Sequence, residues 1–244
     1  MTRTFLTAQW RKLIMAQYEV APSALAPFVP SGVELDLYDD GGIPRCYVSL
    51  VGFLFDRVRV RGMAIPFHTR FEEVNLRFYV ARNEPNGTRK RGVVFISEVV
   101  PRAAISVIAR TLYEEPYQTL PMRRRITSTA ESLTVEYAWR SRQNWSRLAV
   151  EASPQGTPIA PGSVEEFITE HYWGYTKRTL GNASEYEVQH PRWTIYPVRS
   201  FTIEADLGAL YGNAFASLNA TTPANILLAE GSAISVSIGS RLAD

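Results

Sequence analysis

The sequence predicts a mainly β fold: an antiparallel sheet, closed or nearly closed into a barrel or cone, with a few short helices packed outside it. Three observations carry this expectation. Short runs rich in Val, Ile, Phe, Tyr and Thr alternate in polarity and are punctuated by Gly, Pro and Asn. Asn86-Gly87 lies between two such runs, a hairpin signal because a type I′ turn needs positive φ at both central residues. No repeat of about 20 to 50 residues is present, and helix signals are confined to short segments.

The strand-like runs, in order, are Tyr47 to Phe55, Val74 to Val80, Gly92 to Val99, Leu133 to Trp139, Arg147 to Glu151, Thr194 to Ile203 and Ala233 to Ile238. The Asn86-Gly87 turn pairs the second run with the third. Helices are expected where a cap or an early proline favours them. Ala21 to Phe28 follows a strand-like start and carries Pro22, Ser163 caps a helix to about Glu170, and Asp206 caps a short one through Tyr211. Pro101 to Tyr113 is ambiguous: it can begin as a helix, but the β-branched Ile105, Val107 and Ile108 suit a strand better. The Pro-Gly-rich stretch Ser153 to Gly162 is a loop too short to mark a boundary, so residues 1–244 read as one domain.

Composition narrows the function. The chain has 244 residues, 26 basic against 24 acidic side chains, and a single cysteine. A net charge of +2 leaves no nucleic-acid footprint, and no apolar stretch approaches the roughly 20 residues of a membrane helix. The lone Cys46 cannot form an internal disulfide, and the amino end lacks a secretory signal, so a cytoplasmic location is expected. Cys46 precedes an apolar strand and reads as a buried, inert thiol. The basic run Arg123-Arg124-Arg125 reads as a solvated strand or turn. The three histidines stand in no metal-ligand spacing, and the serine-hydrolase elbow, the P-loop and the dinucleotide fingerprint are all missing. Nothing in the chain calls for a cofactor.

The most informative strand is Phe71 to Val80. A period of two puts Val74, Leu76, Phe78 and Val80 on one face and Glu73, Asn75, Arg77 and Tyr79 on the other. In an open sheet that polar face meets water. In a closed one, a carboxylate, an amide, a guanidinium and a phenol line a cavity able to bind a small polar ligand. A second cluster, His171-Tyr172-Trp173-Gly174-Tyr175-Thr176-Lys177-Arg178, reads first as aromatic packing and second as a pocket wall. In His190-Pro191-Arg192-Trp193-Thr194-Ile195-Tyr196-Pro197 the prolines limit strand pairing, and His190 reads as structural.

Three stretches resemble the acetoacetate decarboxylase superfamily in order and spacing, and the chain looks most like its YqjF-like branch. They are Tyr18-Glu19-Val20 followed by Ala24 to Leu35, similar to the family's VPxxLE segment with Val29, Pro30 and Glu34 in place, the aromatic-x-Glu of Phe71-Glu72-Glu73, and Ala104 to Gln118. The resemblance implies a mainly β domain around a cone-shaped cavity, often assembled into oligomers, with Glu73 at the decarboxylases' glutamate position. It also favours the cavity-lining alternative for the polar face of the Glu73 strand. In those enzymes the third stretch carries two consecutive lysines, the first forming a Schiff base with the substrate ketone. Arg110 and Pro116 match here, but Tyr117 and Gln118 stand where the lysines belong. A Schiff base needs a primary amine, so this departure removes the mechanism. Lys177 is the one other lysine placed to substitute.

The resulting expectation is a cavity for a small anionic or carbonyl-bearing molecule. Glu73 would be the acid/base carboxylate, Arg110 and Arg77 the anion partners, and Tyr117 the replacement for the lysine. Asn75, Tyr79, Gln118, Tyr172 and Tyr175 would be further ligand contacts. General acid/base chemistry is one use of such a cavity; the alternative is a binding or sensor protein that releases its ligand unchanged. A third reading fills the cavity with the protein's own aromatics and makes the chain a scaffold.

Overall fold

The strands run long and twisted, and their pairing places the site. The structure is a computed structural model describing residues 4–104, 116–141, 143–178 and 183–242. Among these the strands are β1 (Thr4–Glu19), β2 (Glu34–Leu35), β3 (Tyr38–Asp40), β4 (Ile43–Arg45), β5 (Tyr47–Val60), β6 (Phe71–Asn83), β7 (Arg89–Val100), β8 (Tyr117–Thr119) and β9 (Met122–Ser128). There follow β10 (Leu133–Ser141), β11 (Asn144–Ala152), β12 (Thr157–Pro158), β13 (Trp173–Lys177), β14 (Ala183–Gln189) and β15 (Thr194–Tyr196). The last are β16 (Val198–Glu204), β17 (Asn225–Ala229), β18 (Ala233–Ser237) and β19 (Ser240–Arg241). The helices are short: α1 (Pro22–Leu25), α2 (Val164–Thr169) and α3 (Leu207–Tyr211). Ser163 caps α2 by accepting from the Glu166 amide, and Asp206 caps α3 by accepting from the Ala209 amide, as their positions predict.

The large sheet is mainly antiparallel but mixed. Its ladders run from β1 to β5, β6 and β7, cross to β13 and β14, and return through β18 to β1. Two links in this circuit are short, the parallel one joining Trp173 to Gly92 and Gly174 to Val93, and the antiparallel one joining Val188 to Val236 and Gln189 to Ser235. The expectation of an antiparallel sheet is corrected here, because β7 pairs in parallel with both β13 and β8.

The two faces of this sheet do different work. Outward-facing Ile14, Ala16, Val48, Leu50, Val74, Leu76, Phe78 and Val80 form one core with Leu133, Val135, Tyr137, Trp139, Leu148 and Val150 from the second sheet, β16-β11-β10-β9. Gly52 permits this docking: a Cβ there would stand 2.9 Å from the Tyr137 ring and 3.1 Å from Leu148. Tyr137 also donates its hydroxyl to the carbonyls of Arg11 and Lys12, at the register shift in β1 where Lys12 takes φ 53°. Arg124 of β9 reaches Glu72 of β6 at 2.6 Å, so one arginine of the basic run ties the sheets together while Arg123 and Arg125 face solvent.

Three other expectations are amended. Thr194 to Ile203 is not one strand: Pro197, which has no N–H to give a ladder, separates β15, on the large sheet, from β16, on the second. The Asn86-Gly87 hairpin joins β6 to β7, but only Gly87 has positive φ, at 84°, so the turn is not type I′. Asn86 instead accepts the Thr88 amide through its side chain, a local bond typical of Asn in turns. Of the ambiguous Pro101 to Tyr113 stretch, residues 105–113 lie outside the described residues.

Candidate functional site

The inward face of the circuit encloses a cavity of about 180 Å³. Alternation along β6 delivers Glu73, Asn75 and Arg77 to it, all buried. On β7 the register shifts between Leu76 and Arg77 of its partner, so Phe95 and Glu98, three positions apart, both line the cavity. A bulge of this kind re-aims a side chain that strict alternation would send outward. β8, in parallel register with β7, sets Tyr117 opposite Glu98.

These groups form a carboxyl cluster. Asn75 Nδ2 donates to Glu73 Oε1 at 3.0 Å, Tyr117 donates its hydroxyl to Glu73 Oε2 at 3.2 Å, and Glu98 hydrogen-bonds Glu73 as well. Burial pushes the Glu73 carboxyl up from 4.5 to about 7, against the opposing pull of these hydrogen bonds and of the Arg77 charge. Arg77 itself makes no salt bridge among the described residues; one Nη lies 4.0 Å from Met15 Sδ, and its Nε has no hydrogen-bond partner. The wall beyond is aromatic. Trp10 packs edge-on to Phe53 at 5.5 Å and to Trp193 at 6.2 Å, Phe55 stacks on Phe71 at 4.9 Å, and His190 stacks on Trp193 at 4.4 Å.

A second polar pair closes another side. His171 lines the cavity and bonds Asp36 through Nε2 at 3.0 Å. Arg89 and Arg91 reach the same Asp36 carboxylate at 3.0 and 2.7 Å. Against the cost of burial, the hydrogen bonds from His171 and Arg91 hold that carboxyl well below the usual range. Burial lowers the imidazole from 6.5 to about 4, so His171 is neutral near pH 7, with its proton on Nε2 toward Asp36.

The remaining sequence candidates lie elsewhere. Tyr79 shares the inward face but hydrogen-bonds Ser49 at 2.7 Å and packs on Phe167 and His171 without lining the cavity. Gln118 turns away to Ser97 Oγ and the Leu210 carbonyl, because on β8 it alternates with Tyr117. Tyr172 donates to Glu170, and Tyr175 belongs to the core between the sheets. Arg110 lies outside the described residues. His190, read as structural, does stack on its neighbours, and it also lines the cavity. Sequence reasoning missed Glu98, Asp36 and Trp10. No local pattern reveals a bulge, and Asp36 follows a two-residue strand too short for periodicity to read.

No lysine enters the cavity. Lys12 pairs with Glu230, Lys90 with Glu84 and Glu185, and Lys177 donates to the Pro27 carbonyl. Among the described residues no cluster of three His, Cys, Asp or Glu is placed to hold a metal ion.

The sequence profile of DUF2071, described as an uncharacterized conserved protein family, matches residues 7–233. The chain belongs to the DUF2071 family. This DUF2071 protein is 29% identical over 192 residues to the uncharacterized protein YqjF of Bacillus subtilis strain 168, covering 76% of this chain and 73% of that one. Its fold is similar to that of acetoacetate decarboxylase from Legionella pneumophila, with TM-score 0.65 and 12% identity over 99% of this chain and 88% of the enzyme. It is also similar to the enduracididine biosynthesis enzyme MppR with HEPES buffer bound, with TM-score 0.67 and 13% identity over 100% of this chain and 89% of MppR. The DUF2071 chain thus has the acetoacetate decarboxylase-like fold, with Tyr117 bonded to Glu73 inside it.

Proposed function

We propose that this protein binds a small organic carboxylate in the cavity and moves a proton at the carbon beside the carboxylate, using acid/base chemistry without a Schiff base. The observation that carries this reading is Arg77, a buried guanidinium lining the cavity with no salt bridge among the described residues, next to a carboxyl cluster. A buried positive charge is costly unless something negative answers it, and a ligand carboxylate does so with charge-assisted hydrogen bonds. A carboxyl near pH 7 exists in both forms, which suits Glu73 to accept a proton and return it. In the step proposed, ionised Glu73 takes the proton from the carbon, the C–H electron pair delocalises into the neighbouring carbonyl or carboxyl group, and Tyr117 and Glu98 hold Glu73 in place. Return of the proton closes the cycle with no other reactant. No lysine lines the cavity, which supports the exclusion of a Schiff base. HEPES bound to MppR supports a small-molecule role for proteins of this fold. A cytoplasmic setting fits the lone buried cysteine.

The test is carbon-bound deuterium. Incubated in D2O with a panel of 3-oxo and 2-hydroxy acids, the protein is expected to place deuterium on the carbon beside the carboxyl group faster than buffer alone, read by mass spectrometry. Glu73→Gln is expected to lower that rate at least about a hundredfold, and Arg77→Met to abolish acid binding in calorimetry while both variants keep the wild-type circular dichroism. Binding without exchange would leave a binding protein and overturn the enzymatic part.

A further inference from the structure

Among the described residues, several buried polar atoms at the cavity have no hydrogen-bond partner: Arg77 Nε and Trp10 Nε1, which are donors, and Asn75 Oδ1 and His171 Nδ1, which are acceptors. Buried polar groups in folded proteins are nearly always satisfied, so orphans gathered at one cavity describe what the cavity is built to hold. The acceptors are fixed as such. Asn75 spends its Nδ2 on Glu73, turning Oδ1 away, and His171 spends its Nε2 proton on Asp36, leaving a bare lone pair on Nδ1. Asn75 belongs to the acid/base cluster. His171 stands apart from it, backed by Asp36, Arg89 and Arg91, and its Nδ1 bonds none of the described residues.

A plain carboxylate answers the donors and leaves the imidazole lone pair unmet. We propose that the ligand is a hydroxycarboxylate with an apolar body. Its carboxylate accepts from Arg77 and Trp10, its hydroxyl donates to His171 Nδ1, and its apolar portion lies along Phe53, Phe55, Phe71 and Phe95. An ammonium group would also donate to Nδ1, but the Arg77 charge is felt at the His171 ring and repels a second cation. A hydroxyl donates with no charge. The inference rests on the carboxylate reading above and adds His171 as the residue that selects among carboxylates.

The full chain is titrated by calorimetry with 3-phenylpropanoate, each enantiomer of 2-hydroxy-3-phenylpropanoate, and phenylalanine. One hydroxy acid enantiomer is expected to bind about tenfold more tightly than the unsubstituted acid, the worth of one good hydrogen bond to a buried acceptor. Phenylalanine is expected to bind more weakly than either. His171→Phe is expected to erase the hydroxyl preference and leave 3-phenylpropanoate within about twofold of its wild-type affinity. Equal binding of the hydroxy and unsubstituted acids, a preference that survives His171→Phe, or tighter binding of phenylalanine would each overturn the proposal. On the wild-type protein, 15N NMR gives an independent reading: the hydroxy acid is expected to move the His171 Nδ1 resonance upfield, and a resonance unmoved at saturation overturns the assignment. Loss of the underlying reading looks different. There, 3-phenylpropanoate itself fails to bind, or binds equally well to Arg77→Met.

Discussion

At Glu73 the cost of burial exceeds the help of its hydrogen-bond partners, and the consequence is a stability that depends on pH in a stated direction. A carboxyl raised from 4.5 to about 7 on folding contributes stability that is fully present below 4.5 and is lost as pH rises through about 7. Wild-type protein is therefore expected to lose resistance to urea between pH about 5 and about 8, and Glu73→Gln, which carries no charge to bury, is expected to flatten that decline. A decline of equal slope in the variant would assign it to another group. The period of two made Glu73, Asn75 and Arg77 legible in the sequence, since alternation is enforced by backbone geometry alone. The partners of Glu73 were legible unequally. Tyr117 came from the resemblance to the decarboxylases, whereas Glu98 reaches the cavity only through a bulge that depends on tertiary register. The pairing of His171 with Asp36 joins residues 135 apart in the chain, which no local pattern records.

Among elements, the junction of β7 with β13 is the most demanding. Their parallel ladder brings the Trp173 carbonyl within 2.5 Å of where a Cβ on Gly92 would stand, and the Tyr175 ring within 2.6 Å. The junction is braced outside by Lys90, which lies over the Trp173 ring at 3.9 Å and pairs with Glu185 at 3.1 Å, and by Arg82, which reaches Glu185 at 3.2 Å. Gly92→Ala is expected to cost about 1–3 kcal/mol in urea denaturation, because backbone cannot yield as a flexible side chain can. It is also expected to speed amide exchange in β13 more than in β10; uniform acceleration across both would mean that the circuit fails as a whole. Strand runs such as Val74 to Val80 and Leu133 to Trp139 were legible because β-branched and aromatic residues alternate there. The parallel junction was not, since its two residue pairs leave no composition signal, and the break at Pro197 was masked by apolar residues on both sides.

For the whole molecule, two polar clusters within one sheet circuit pull stability in opposite directions with pH. The lowered imidazole of His171 contributes stability present above 6.5 and lost as pH falls through about 4, and the lowered carboxyl of Asp36 adds a contribution present above 3.8 that is lost only as pH falls further. Melting temperature is expected to fall on that acid side, and His171→Phe, which has no ring nitrogen to protonate, to flatten the fall between pH 6.5 and about 4; an unchanged acid limb would rule His171 out as its source. The mainly β class and the short capped helices were legible from the sequence, as were the inward and outward faces of β6. The return of the ladders through β18 to β1, which turns a polar strand face into a cavity wall, is a property of the assembled sheet. Within that wall, Arg77, which makes no salt bridge among the described residues, gives the carboxylate reading proposed above a practical corollary for handling the protein. On that reading, formate, acetate or any other small carboxylate in the storage buffer is expected to act as a surrogate counter-ion, each tenfold of its concentration above its dissociation constant adding about 1.4 kcal/mol to the folded state. The choice of buffer salt is then itself a variable of shelf life, and a preparation exchanged into a buffer free of organic anions is expected to melt first.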